Sequence, residues 1–132
     1  MRRSRISGAT ALAFGSFILV AAPAAAQNVA GDELRALVTD KRVLLATQYG
    51  VEFPLTYRSD GTVTGDGSGL GLAKFFVPRE TGQWWVDGSQ LCQQFPTWYD
   101  GEVSCFTIEQ TSKTTLNWTR DDGESGTARI EG

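Results

Sequence analysis

Apolar and polar residues along this chain fall into three regimes. A small apolar run from about Ala9 to Ala22 follows a basic start at Arg2, Arg3 and Arg5. A short amphipathic stretch comes next. Asp32 can cap a helix there, Glu33 stands in its first turn, and Leu34, Leu37 and Val38 have the i, i+3, i+4 spacing of one apolar face. After Asp40 the period shortens to two. Val43 to Thr47 reads as a strand, and Phe53 to Tyr57 alternates apolar Phe53, Leu55 and Tyr57 with Pro54 and Thr56. Pro54 lacks a backbone donor, which places that strand at an edge or gives it an irregularity. Further strand-length runs follow at Lys74 to Val77, Gln83 to Val86, Gln90 to Phe95, Glu102 to Glu109, Thr114 to Thr119 and Thr127 to Ile130.

Turn chemistry separates these runs. Asp60-Gly61, Asp66-Gly67, Asp87-Gly88, Asp100-Gly101 and Asp122-Gly123 each offer the positive φ that tight hairpins need. Short strands divided by such signals predict an all-β domain with one short N-terminal helix: a small antiparallel meander, as a closed or partly open barrel. Gly65 to Gly71 is glycine-rich but has no following Lys-Ser/Thr and no βαβ surroundings, so it reads as a connection and not as a phosphate loop.

The apolar run at the start is too short to span a bilayer comfortably, and it leads to Pro23 and the small-residue site Ala24-Ala25-Ala26. Residues 1–26 are therefore expected to be a signal peptide cleaved after Ala26, and residues 27–132 a single small β domain, periplasmic or secreted, with Gln27 to Gly31 as a loose end. Cleavage removes three arginines and no acid, leaving nine bases against fifteen acids and a net charge of −6. Such a surface disfavours nucleic acid and anionic lipid, and no stable membrane insertion is expected after cleavage.

Export also decides the cysteine chemistry. Cys92 and Cys105 are the only two, and an oxidising compartment favours their pairing in one disulfide. If they face each other across a hairpin, Leu91 opposes Phe106 and Gln93 opposes Ser104. Leu91, Phe106 and Ile108 then share one face, with the disulfide on the other. The midpoint of that pairing falls between Trp98 and Tyr99, ahead of Asp100-Gly101, so a longer loop or a bulge must absorb the offset. The chain has no histidine, so metal ligands and cofactor sites are not evident, and the common base–nucleophile constellations are missing. No catalytic residue is expected.

Gly82-Gln83-Trp84-Trp85-Val86-Asp87-Gly88-Ser89-Gln90-Leu91-Cys92, followed by Cys105-Phe106-Thr107-Ile108, has the form G-x-W-x-V, turn, L-C, then C-aromatic-x-I. It resembles small exported β-domain proteins of Gram-negative bacteria, and Tyr57 to Thr62, a strand entering a D-G-T turn, fits the same pattern. The resemblance covers about Leu34 to Ile130 and implies a secreted β domain without implying an activity. A looser similarity is to periplasmic inhibitors of secreted metalloproteases, small one-disulfide barrels that extend an N-terminal arm; Gln27 to Gly31 is short for such an arm.

Binding is then the expected class. Trp98 and Tyr99 lie near a hairpin tip, where large aromatics can anchor a partner, or where Trp98 can fold back over the disulfide. Trp84 and Trp85 must point to opposite sides of one strand, which makes Trp85 a third candidate. Two functions follow. One is an interaction, regulatory or inhibitor module that meets a protein partner of the cell envelope; the other is a lipocalin-like carrier of a small apolar ligand. A barrel of about eight short strands usually fills its interior with side chains, which favours the first. A large apolar cavity would reverse that preference.

Overall fold

The computed structural model describes residues 8, 10–18, 26–46, 50–67 and 78–132. It is mostly β, a closed antiparallel barrel of eight strands with one short helix and one disulfide. A two-residue strand β1 (Gln27–Asn28) and helix α1 (Gly31–Val38) precede the barrel strands β2 (Lys41–Ala46), β3 (Glu52–Tyr57), β4 (Thr62–Gly65), β5 (Glu80–Asp87), β6 (Gln90–Gln94), β7 (Ser104–Gln110), β8 (Thr115–Arg120) and β9 (Ser125–Glu131). Each barrel strand pairs with the next, and β9 returns to β2, with Val43 opposite Ile130, to close the ring. Closure leaves the barrel without free edges.

Alternation along the strands builds the core. Leu55 and Tyr57, Val63, Trp84, Leu91, Phe106 and Ile108, Leu116 and Trp118, and Ala128 are buried in one continuous cluster. A fully buried side chain of this kind contributes about 1.5–3 kcal/mol over its exposed state. Glycine makes room for the largest rings: a Cβ on Gly126 would stand 2.3 Å from the Ala46 carbonyl oxygen and 2.7 Å from the Trp118 ring.

One end is capped. Leu34 and Val38 of α1 are fully buried in the same cluster, and the helix lies between β2 and β5, on well-separated walls. The helix begins at Gly31 after an extended Ala30 with no side-chain cap, so Asp32 is a first-turn residue and not the cap that the sequence suggests. Its start is instead fixed by the Gly31 N–H donating to the Gly88 carbonyl at 2.8 Å, and its acids still face the positive helix end.

Four of the Asp-Gly signals place glycine at positive φ: Gly61, Gly88, Gly101 and Gly123. Three close tight connections, while Asp100-Gly101 belongs to a longer loop. Three expectations need correction. Pro54 is not on an edge: its carbonyl accepts the Asp66 N–H at 3.1 Å where the β3–β4 ladder stops, so its missing donor falls at the ladder's end. Gln27 and Asn28 are not loose but pair with Gln110 and Glu109, continuing the sheet beside β7 beyond the end of β6. Thr62–Gly65 is a strand that its brevity and polar residues hide. The run Lys74 to Val77 and most of the Gly65 to Gly71 segment lie outside the described residues.

The register around the cysteines is the expected one: Leu91 opposes Phe106, Cys92 opposes Cys105 and Gln93 opposes Ser104. Cys92 and Cys105 are joined, with Cα atoms 4.1 Å apart. Leu91, Phe106 and Ile108 face the core, which puts the bridge on the outer wall. A longer loop, Phe95 to Val103, absorbs the turn offset.

Candidate functional site

The end opposite α1 is where sequence and geometry build a mouth. Strands β2, β4, β6 and β8 run toward it, and the connection between β6 and β7 lies across it. That loop carries a 3-10 turn, Trp98–Gly101, in which Tyr99 (φ 56°), Asp100 (φ 59°) and Gly101 (φ 72°) are all left-handed. Left-handed backbone costs a non-glycine residue about 1–2 kcal/mol, so the surroundings must hold it. Glu80, the first residue of β5, does so by accepting the Thr97 hydroxyl, the Thr97 N–H and the Trp98 N–H. Gln94 Nε2 donates to the Gly101 carbonyl at 2.9 Å, and the Glu102 N–H donates to that of Tyr99 at 3.0 Å. Desolvation pushes the Glu80 carboxyl up, but the Thr97 and Trp98 donors outweigh it and hold it below the ordinary carboxylate range.

This clamp turns Trp98 inward. Its ring stacks on Phe95 with centroids 4.7 Å apart and meets Phe53 edge-on at 6.5 Å. The slot it fills exists because residue 65 is glycine: a Cβ there would stand 2.3 Å from the indole. The Trp98 Nε1 is buried and has no hydrogen-bond partner. Trp98 therefore neither projects from a hairpin tip nor covers the disulfide.

Below the loop lies a cavity of about 350 Å³. Leu45, Phe53, Leu55, Phe106 and Trp118 form its apolar walls. Gln93 also lines it, and its Oε1 accepts the Tyr57 hydroxyl at 2.6 Å within the buried interior. Burial raises the Tyr57 phenol well above its ordinary value, with Tyr99 adding to the effect. Tyr99, Asp100 and Glu124 stand at the rim.

Tyr99 is 42% exposed, with the Arg120 guanidinium 3.7 Å above its ring. Burial raises its phenol above the usual range, against the pull of Arg120 and with Glu124 and Asp122 adding to the rise. Arg120 is itself committed: Nη2 donates to the Ser104 hydroxyl at 2.9 Å and Nη1 to Asp122 Oδ2 at 3.0 Å. The Asp100 carboxylate bonds to no other described residue.

Of the three residues singled out from sequence, Trp98 and Tyr99 come together at this mouth and Trp85 does not. Trp85 lies on the outer wall, half-buried and directly opposite Cys92. Leu45, Phe53, Leu55 and Phe106 were not singled out from sequence; alternation put Phe53 with Leu55, and Phe106 with Leu91, on common faces without marking those faces as inward. The sequence had no signal for Glu80, which lies seventeen residues before Thr97. Among the described residues no group of acids and cysteines is arranged to hold a metal ion, and no helix is long and apolar enough to cross a membrane.

The fold and the site thus define a small eight-stranded β-barrel, capped by a helix at one end and hollow at the other. The chain matches no protein-family model, no curated protein and no solved structure.

Proposed function

We propose that the protein is a non-catalytic, exported binding protein whose barrel mouth takes up a small, mainly apolar ligand. The cavity carries this reading. Its 350 Å³ falls within the range of about 300–1,000 Å³ usual for small-molecule sites, and aromatic rings dominate its walls. It favours a carrier over the interaction module that the number of strands suggests. The strained turn at Tyr99 and Asp100 supports the same place, since such backbone gathers at ligand clamps. The unpartnered Trp98 N–H leaves a donor to offer. Export is supported by the Cys92–Cys105 bridge and by the leader, where Leu12, Phe14, Phe17 and Ile18 are 78–96% exposed and add nothing to the core.

The test is a titration of the purified protein with 2-methoxynaphthalene, followed by tryptophan fluorescence. Saturable binding at one site per chain is expected. Gly65→Val should displace the Trp98 ring and weaken binding about tenfold or more, and Leu45→Trp should do the same by filling the wall, with both variants still melting cooperatively. Absence of saturable binding, or binding indifferent to both substitutions, would overturn the reading.

A further inference from the structure

We infer that the mouth selects an aromatic ligand bearing a positive charge, such as an aryl-alkyl amine, over neutral or anionic compounds of the same size. This rests on the small-ligand reading above and adds the chemistry of the ligand. The body of the ligand is set by size and wall. A cavity of about 150 Å³ takes one benzene ring, so 350 Å³ suits roughly two fused rings, lying against Phe53, Phe106, Trp118 and the Trp98 indole. The head is set by the rim.

Among the described residues, the side chains of formal charge that line the cavity are acids, Asp100 and Glu124. Asp100 is the freer of the two. Its carboxylate has no partner among the described residues, and the left-handed backbone that Glu80 and Gln94 help to hold fixes it beside the opening. Glu124 lies 4.0 Å from Arg120 Nη1, an ion pair that neutralises it only in part. Among the described residues, Arg120 is the base close by that could invite an anion. Its Nη1 and Nη2 donate to Asp122 and Ser104, the Tyr99 ring lies under it, its remaining Nε is buried, and it is not part of the cavity wall.

Two further effects act in the same direction. Aromatic faces attract cations within about 6 Å of the ring centre, and Trp98 and Trp118 both present rings to the cavity. The net charge of −6 after leader removal draws cations to the surface. An anionic amphiphile would place its head against Asp100 and Glu124, and no base among the described residues lines the cavity to meet it.

Three two-ring probes of matched size separate the alternatives: 2-naphthylmethylamine, 2-methoxynaphthalene and 2-naphthoate, titrated at low ionic strength and followed by tryptophan fluorescence. The amine should bind at least about fivefold more tightly than the ether, the naphthoate more weakly than either, and added salt should compress the series. Asp100→Asn should lower the amine-to-ether affinity ratio, read within each variant, by most of its excess, and Glu124→Gln by a smaller part. If the ether binds but the three probes are equal, or if the naphthoate is the tightest, the charge preference is wrong and the cavity reading stands. If none of the three binds, both fall together.

Discussion

Tyr57 shows how one side chain can link the core to the mouth. Its hydroxyl donates to Gln93 Oε1 at 2.6 Å inside the barrel, and its ring meets Trp84 edge-on at 5.5 Å. Burial raises the folded-state phenol above the unfolded one, so its contribution to stability is complete below about pH 10 and is lost as pH climbs through the raised value. In an absorbance titration Tyr57 should therefore ionise only as the barrel unfolds. Tyr57→Phe should abolish that coupled step. It should also lower unfolding stability by about 1–3 kcal/mol in urea denaturation, because Gln93 Oε1 is left buried without its donor. The sequence places Tyr57 on the inward face by alternation, but Gln93 is a polar residue at an inward position, and only the three-dimensional neighbour explains it.

At the scale of elements, turn and register signals were largely legible, because they are local. Glycine at positive φ closes the hairpins at Gly61, Gly88 and Gly123, and two opposed cysteines pin a strand pair from Leu91–Phe106 to Gln93–Ser104. What was not legible depends on distant partners: the strand Thr62–Gly65, the pairing of Gln27–Asn28, and the helix start set by the Gly88 carbonyl. The Glu80 clamp is of that second kind, and it has a pH signature. A carboxyl held below its ordinary value stabilises the loop above about pH 4.3, and that contribution disappears as pH falls through the lowered folded value. Tryptophan emission should shift in acid as Trp98 loosens, before global unfolding. Glu80→Gln should show the loosened emission already at neutral pH and lack the acid step; an identical pH profile in both proteins would rule the clamp out.

For the whole molecule, closure and the single bridge follow from a chain whose strands each reach the next, and this architecture was anticipated in outline. The hollow was not. Whether a barrel of this length is filled depends on the sum of inward volumes around the ring, which no local pattern reports; Gly65 and Gly126 admit the Trp98 and Trp118 rings and do not themselves line the cavity. The proposed export leads to a mass prediction: protein recovered from outside the cytoplasm should begin at Gln27 and gain two hydrogens on reduction. A product that begins at Met1 would refute the processing, and one whose mass is unchanged by reductant would refute the pairing.

The position of β1 has a practical outcome. Gln27 and Asn28 join β7 beside Gln110, and β9 finishes with Glu131 beside Arg42, so both termini of the folded domain emerge around the helix-covered base. An affinity tag or surface linkage attached at either terminus would anchor the molecule upright, leaving the end that carries Trp98 and Tyr99 turned toward solvent.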